Sequence, residues 1–417
     1  MKRTGSGATR IAYVMTNYPF PSQTFLMEEV LGVSGEAFDV VPIAINPTVD
    51  GDVLTTEHQH EHDRTFYVKG QSKVKILATL ARFFGRHPVA ATGLAARVVK
   101  SGGANIKVGA WRFFHFVEGV LVWDYCHRNN VSHIHAQFGG LPAAVAMYAA
   151  DVGTAITKKA PLSWSYTVHG FHDFVNENEI RLDVKTHSAT FVVGISDFTA
   201  SQLMRIADPM DWSKIHVVRC GIELQRFPRR VAVPVPAIPT IVTVGRLSAE
   251  KGHVVLLQAM RQLADRGVQT KLRLIGSGPY QDEIEHEITR LGLSGQVELL
   301  GMRPSHEVAE ELRCADVFCL PSFAEGVPIS IMEAMAVGVP VVSTNVGGIS
   351  ELLTHELTGW CVAPGRCDQL ADALQQALTP GNDLNAVLDA ARSRVEQLHN
   401  NATMVAQMRV LFEQYVR

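Results

Sequence analysis

Short apolar runs recur along this chain, separated by longer stretches that read as helices. Ile11–Thr16 (IAYVMT), Phe191–Ser196 (FVVGIS), Ile241–Gly245 (IVTVG), Leu272–Gly278 (LRLIGSG), Val297–Gly301 (VELLG) and Val317–Leu320 (VFCL) each span four to seven residues. Runs of that length, bounded by glycine, proline or polar residues, predict buried strands. Between them, the segment from Phe25 onward, Leu141–Ala150, Asp368–Leu378 and Leu384–Tyr415 predict helices. Strand, loop and helix in repeated succession predict an α/β fold.

The clearest unit is Ser322–Val342, SFAEGVPISIMEAMAVGVPVV. The run Val317–Leu320 stops at Pro321-Ser322, Glu325-Gly326 make a turn, and Pro328 suits the first helical position, where a missing N–H costs nothing. Ile329–Val337 then predict a short helix that Gly338 and Pro340 end, with Val341-Val342 opening the next strand. A helix start after a glycine turn offers free N–H groups and partial positive charge, which suits a diphosphate. Glu325 precedes that helix and Glu333 lies about one turn inside it. Two carboxylates bracketing an anion must face other groups, such as sugar hydroxyls. An ordinary strand–turn–helix with two surface glutamates would carry the same spacing.

Other loops repeat this grammar. Ile11–Thr16 leads into NYPFPSQTFLMEEV, where Thr24 is a candidate cap for a helix from Phe25, and the loop Tyr18–Thr24 falls at the carboxyl edge of the sheet, where ligands bind. In LSWSYTVHGFHD (Leu162–Asp173) a strand ends at Val168, so His169-Gly170 faces a cleft, with Asp173 a further candidate from the same loop. After Ile241–Gly245, Arg246 and Lys251 stand five apart over a helix start, a sensible diphosphate clamp. The turn after Leu272 is not a dinucleotide fingerprint, because position 281 is Gln. Val231–Thr240, with three prolines in ten residues, reads as a stiff linker and a domain boundary.

Composition narrows the class. At 417 residues two domains are expected, and 47% hydrophobic with 19% charged residues describes a globular chain. A net charge of −3 argues against a general nucleic-acid binder. The six cysteines form no CxxC pair, which predicts reduced core thiols in a cytoplasmic protein. A polar Met1–Arg10 and the lack of any long apolar segment predict neither a signal peptide nor a transmembrane helix. The segment EHQHEHD (Glu57–Asp63) alternates imidazoles and carboxylates too closely for one metal shell and reads as a solvated loop. From Arg64 to Val117 there is no Asp or Glu, yet ten Lys and Arg residues are interleaved with apolar ones. Helical wheels over Val74–Gly85 and Val89–Val99 predict basic amphipathic helices. These either dock on an anionic membrane or pack on the N-terminal sheet.

Several of these motifs together resemble retaining glycosyltransferases of the GT-B fold, family 4, of the exopolysaccharide and colanic-acid type. The Glu325–Glu333 spacing followed by EAMAVGVPVV, the GR-L-x-x-x-KG pattern at Gly245–Gly252, the YP-x-x-S-x-TF opening with Ser22 and Thr24, and VSHIHAQFGG (Val131–Gly140) carry it, with Gln137 standing where many members have His. Ile215–Phe227 is similar to the family's closing strand and turn, with Glu223 for the usual Asp.

The resemblance implies two doubly wound Rossmann-like domains facing across a cleft: 1–232 binding acceptor and 238–400 binding nucleotide sugar. It also implies a C-terminal helix, 401–417, that crosses back to the first domain. By the same resemblance Arg246 and Lys251 hold the diphosphate, Glu325 orients sugar hydroxyls, Glu333 holds the ribose, and His169 contacts the donor sugar near its reacting carbon. Gly245, Gly276, Met302, Arg303 and the helix start Gly326, Val327, Pro328 and Ile329 complete the nucleotide site. No metal or other cofactor is expected, because protein cations replace it. The implied activity is hexosyl transfer from a UDP- or GDP-sugar to a saccharide or lipid-linked saccharide in cell-envelope synthesis, by a cytoplasmic protein peripheral on the inner membrane face through residues 64–117. A sugar-nucleotide epimerase, or a binding protein that has lost activity, are the alternatives.

Overall fold

A computed structural model of the chain describes residues 7–20, 23–49, 55–157, 162–231, 236–379 and 384–416. Ser22 and residues 232–235 of the proline-rich stretch lie outside the described residues. The chain divides into two compact units. The first comprises Met1–Ile195, Thr199–Val218 and Val405–Arg417, and the second comprises Ser196–Phe198 and Arg219–Met404.

The first unit holds strands β1 (Thr9–Met15), β2 (Phe38–Ala44), β3 (Phe66–Tyr67), β4 (His133–Gln137), β5 (Ser163–Val168), β6 (Val192–Gly194) and β7 (Ile215–Val217). They form one sheet in the order β3-β2-β1-β4-β5-β6-β7, with every pairing parallel. Residues 11–15 of β1 and all of β4 are buried, which is why these strands read as continuous apolar or neutral runs. The chain crosses from β3 to the far side of β1 to make β4, so the strand order reverses between β1 and β4. In an open parallel sheet that crevice at the carboxyl ends is where ligands bind. Phe412, on the helix Asn401–Tyr415, is fully buried and packs edge-on against Tyr13, Phe38, His133, His135 and Phe191 at centroid distances of 5.5–6.1 Å.

The second unit holds β8 (Thr240–Val244), β9 (Lys271–Ile275), β10 (Val297–Gly301), β11 (Val317–Leu320), β12 (Val341–Thr344) and β13 (Trp360–Val362), in the order β10-β9-β8-β11-β12-β13, again all parallel. Its reversal lies between β8 and β11. Both sheets are therefore doubly wound, as the family resemblance implies.

Three local expectations need correction. Thr56–Arg64 is a helix rather than a solvated loop: the Thr55 hydroxyl caps it by accepting from the His58 N–H. Its Glu61 is buried, accepting from the Tyr18 hydroxyl at 2.7 Å and from Arg64 at 2.8 Å. Among the described residues no group of three or more His, Cys, Asp or Glu could hold a metal ion. Thr24 begins its helix instead of capping it, since Gln23 is the N-cap. Pro328 is the N-cap of Ile329–Val337, one position before the site anticipated for it.

The basic stretch forms three helices, Lys73–Arg86, Pro88–Ser101 and Ile106–Arg128. Phe83, Ala91, Leu94, Val98 and Phe116 bury one face of them against Val120, Tyr148 and Val152. Val74, Leu77, Val89, Ile106, Trp111 and Phe114 stay exposed.

Candidate active site

In the second unit four loops meet at the carboxyl edge of the sheet. The loop after β8 ends at Gly252, in the left-handed region at φ 70°, where a single turn Ala249–Lys251 hands over to the helix His253–Asp265. The loop after β11 runs from Pro321 to Pro328 and feeds the helix Ile329–Val337. Backbones approach so closely here that a Cβ on Gly252 would lie 2.0 Å from the Pro321 carbonyl oxygen, and one on Gly276, after β9, 1.9 Å from that of Gly245. Phe323 N–H donates to the Glu250 carbonyl at 2.7 Å, and Gly348 N–H, after β12, to that of Gly326 at 2.8 Å. Glycine at these positions follows from backbone contact, not from loop flexibility.

Two of the anticipated residues meet in this nest. Lys251 Nζ donates to Glu325 Oε1 at 2.6 Å, and Ser322 Oγ donates to the same oxygen at 2.6 Å. Glu325 is buried and Lys251 partly so, which places a compensated charge pair at the reversal of strand order. Arg246 is exposed on the same loop, and its carbonyl faces His253 Nε2 at 3.1 Å. Burial holds the His253 imidazole down to about 4. Gly326, Val327 and Pro328 are buried at the helix start, Ile329 is partly exposed, and Glu333 is buried within the helix. Met302 and Arg303 follow β10, the edge strand, two strands away from β8. Met302 is exposed, and Arg303 pairs with Glu307 one turn along at 3.1 Å.

In the first unit His169 stands at the end of β5. Its ring makes tilted contacts with Phe25 and Phe138, with centroids 5.1 and 4.4 Å away. Phe138 adopts φ 75°, a strained conformation for a bulky residue, and is held there by its N–H donating to the Thr167 carbonyl. His169 Nε2 lies 2.6 Å from Gln137 Oε1, Gln137 Nε2 donates to Glu29 Oε1 at 3.0 Å, and the Tyr13 hydroxyl donates to that same oxygen at 2.9 Å. Desolvation pushes the His169 imidazole down to about 3 and the Glu29 carboxyl up to about 7. The ring is therefore neutral at physiological pH.

Asp173 is buried and bonded to the backbone on both sides. Its two oxygens accept the backbone N–H groups of Gly139 and His169 at 2.8 and 3.0 Å, tying the loop after β4 to the loop after β5. Lys185 supports the same junction by donating to the carbonyls of Gly139 and Gly140, and burial holds its ammonium down to about 7. Glu29, Gln137, Lys185 and Ser322 are the residues that sequence reasoning missed. Gln137 alone left a signal, as the departure from the histidine common in the resembling family. Glu29 sits in a run of two glutamates, and nothing in the run says which one turns inward.

The profile described as Glycosyl transferases group 1 matches residues 233–394. The "Putative teichuronic acid biosynthesis glycosyltransferase TuaC" of Bacillus subtilis is 30% identical over 296 residues, covering 63% of this chain and 69% of that one. The chain belongs to the glycosyl transferases group 1 family. This glycosyltransferase is also 29% identical to the "Putative colanic acid biosynthesis glycosyltransferase WcaL" of Salmonella typhimurium, across 97% of this chain and 99% of the relative. Among solved structures, Anabaena HepE in complex with UDP and glucose superposes with a TM-score of 0.72 at 18% identity, over 97% of this chain and 100% of HepE. That likeness, together with the two doubly wound parallel sheets, identifies the fold as GT-B.

Proposed function

We propose that this glycosyltransferase is a retaining, metal-independent hexosyltransferase of family 4. It moves a hexosyl unit from a UDP- or GDP-sugar to a lipid-linked saccharide during exopolysaccharide or cell-envelope synthesis. The observation that carries the reading is the Lys251–Glu325 pair, set among close-packed glycine loops where the second sheet reverses its order. Relatives named for teichuronic and colanic acid synthesis, and neighbours solved with UDP and UDP-glucose, support the product class and the donor.

In this reading Lys251 leaves Glu325 for the donor diphosphate, joined by Arg246 and by the N–H groups at the start of Ile329–Val337. Fixed positive groups aimed at the leaving oxygen act most strongly as charge develops there, which is what lowers the barrier. They do the work a divalent cation does elsewhere. Glu325, released, accepts sugar hydroxyls, and Glu333 accepts the ribose hydroxyls. Gly245, Gly276, Met302, Arg303 and the turn Gly326–Pro328 line the nucleotide. His169, being neutral, accepts a hydroxyl beside the reacting carbon and does not act as a cation. The bond from the anomeric carbon to the diphosphate breaks with its electron pair going to phosphate. The acceptor hydroxyl attacks the same face, and its proton passes to the departing phosphate oxygen.

Residues 64–117 present the acceptor side to the inner membrane face in this reading. Val74, Leu77, Val89, Ile106 and Trp111 are exposed apolar residues among lysines and arginines. Lys69, Arg82 and Arg97 belong instead to the domain, through Glu118, Asp124 and Asp151. Among the described residues no helix is long and apolar enough to cross a membrane.

The test is a donor screen: purified protein with a chelator, a panel of UDP- and GDP-sugars, and membrane lipid extract as acceptor. Nucleotide release from one donor that requires the extract, and is lost in Lys251→Ala and Glu325→Ala, supports the proposal. Sugar isomers formed without acceptor indicate an epimerase. Donor binding with no turnover indicates a binding protein.

A further inference from the structure

The His169 ring is held by a chain of hydrogen bonds that spans three separate elements of the first unit. We propose that Glu29 and Gln137 are positioning residues that lock His169 in one orientation and one tautomer, with the Nε2 proton pointing inward and the Nδ1 lone pair presented to the donor sugar. The inference rests on the reading of His169 as the group beside the reacting carbon.

The geometry argues the lock step by step. Gln137 Oε1 can only accept, so the proton in its 2.6 Å contact belongs to His169 Nε2. Once one ring nitrogen donates, the other of a neutral imidazole carries the lone pair. What keeps the Gln137 oxygen facing His169 is Glu29, whose carboxylate accepts from the Gln137 amide nitrogen at 3.0 Å. With Glu29 ionised, a flipped amide would set its oxygen against the carboxylate oxygen, a clash that the observed orientation avoids. The Tyr13 hydroxyl fixes Glu29 in turn, at 2.9 Å. Phe25 and Phe138 pack on the ring in tilted contacts, and the His169 backbone N–H is held by Asp173.

Burial makes these two polar groups costly to keep. Glu29 is 4% exposed and Gln137 fully buried, on the strand that also buries His133 and His135. A buried carboxyl group costs stability that an apolar residue of like size would not. What a carboxylate provides here once ionised, and a leucine would not, is a fixed direction for the Gln137 amide.

The test is long-range 1H–15N correlation of histidine-labelled protein, with His169 assigned from a His169→Ala sample, alongside steady-state kinetics. Wild type is expected as the Nε2–H tautomer. In Glu29→Gln, whose amide accommodates either orientation of Gln137, and in Gln137→Met, which removes both bonds, the His169 signals move toward a mixture of tautomers. There kcat falls on the order of 10- to 100-fold, while donor KM changes less than about threefold. An unchanged tautomer in both folded variants, or an unchanged kcat, overturns the proposal. Undiminished kcat in His169→Ala instead overturns the donor-sugar reading of His169, and with it the catalytic consequence of the lock, whereas the spectra still judge the lock itself.

Discussion

Lys251 donates to Glu325 across 2.6 Å, joining the loop after β8 to the loop after β11 where the second sheet reverses its strand order. Each charge is compensated by the other in a setting where either alone would be poorly solvated. The pair is thus both a strut between two loops and a store of one cation and one carboxylate at the place where a diphosphate sugar would need them.

Lys251→Met is predicted to lower kcat/KM for the donor by about 100-fold or more, the scale of losing one preorganised charge stabiliser. It leaves Glu325 with Ser322 as its hydrogen-bond donor. Glu325→Gln keeps the Ser322 bond but leaves the Lys251 ammonium without its counter-charge, so its melting temperature should fall by only a few degrees while donor turnover collapses. Kinetics and thermal melts on the two variants check this. Equal loss of activity and of fold in Glu325→Gln would reduce the pair to a strut.

The glycine nest gives a stability prediction. A side chain at Gly276 (φ 144°) or Gly252 (φ 70°) meets a carbonyl oxygen at 1.9 or 2.0 Å and also needs a disfavoured backbone. Alanine at either position should destabilise the second unit by about 3 kcal/mol or more. At Gly267 (φ 83°) nothing lies within 4 Å of a new Cβ, so alanine there should carry only the conformational cost, about 1 kcal/mol. Denaturant melts of the three variants separate backbone collision from backbone strain.

The fold was legible in this sequence to a greater depth than the site. Val317–Leu320 and Ile329–Val337 fall where their residues predict, because buried parallel strands leave uninterrupted apolar runs and because Gly338 ends its helix in the left-handed conformation expected of it. Thr56–Arg64 reads as a loop because its polarity suits one, and the long-range bond from Tyr18 to Glu61 shows why one face of the helix is buried. Likewise Lys251 and Glu325 could each be picked out from local motifs, but their mutual bond spans 74 positions and has no local signature. Asp173 has the residue type of a catalytic group, and nothing local shows that it accepts two backbone N–H groups. Spacing shows which residues sit on a loop; it does not show which neighbours already use them.

Two buried populations titrate with opposite signs. His133 and His169 are pushed down to about 3, and His253 and His399 to about 4, chiefly by desolvation. Each is neutral in the fold and protonated in the unfolded chain below its ordinary value near 6.5. Stability from these groups is present above about pH 6.5 and is lost as pH falls toward 3–4. Glu29 runs the other way: with its carboxyl pushed up to about 7, its contribution is full below about 4.5 and is lost as pH rises through 7. The stability of Glu29→Gln minus that of wild type should therefore grow between about pH 5 and 8, by ~3 kcal/mol at most. Paired denaturant melts across that range check it, and a flat difference would mean Glu29 is solvated.

Membrane docking through residues 64–117 predicts a lipid-charge dependence. Wild type should co-float with vesicles containing phosphatidylglycerol, bind far less to pure phosphatidylcholine, and release as salt rises. Val74→Ser with Leu77→Ser changes two exposed residues and should weaken flotation without shifting the melting temperature. Flotation that ignores both lipid charge and these substitutions would remove the membrane from the account.

The most direct test of the central claim is to follow one reaction by proton NMR: enzyme, the donor selected by screening, and a lipid-linked saccharide extract, with a chelator present. The account predicts that the donor's anomeric proton disappears in step with free nucleoside diphosphate. A new glycosidic proton of the same anomeric configuration should appear with it, only when acceptor is added and not with Lys251→Met. An inverted linkage, a requirement for added metal, or sugar isomers arising without acceptor would contradict it.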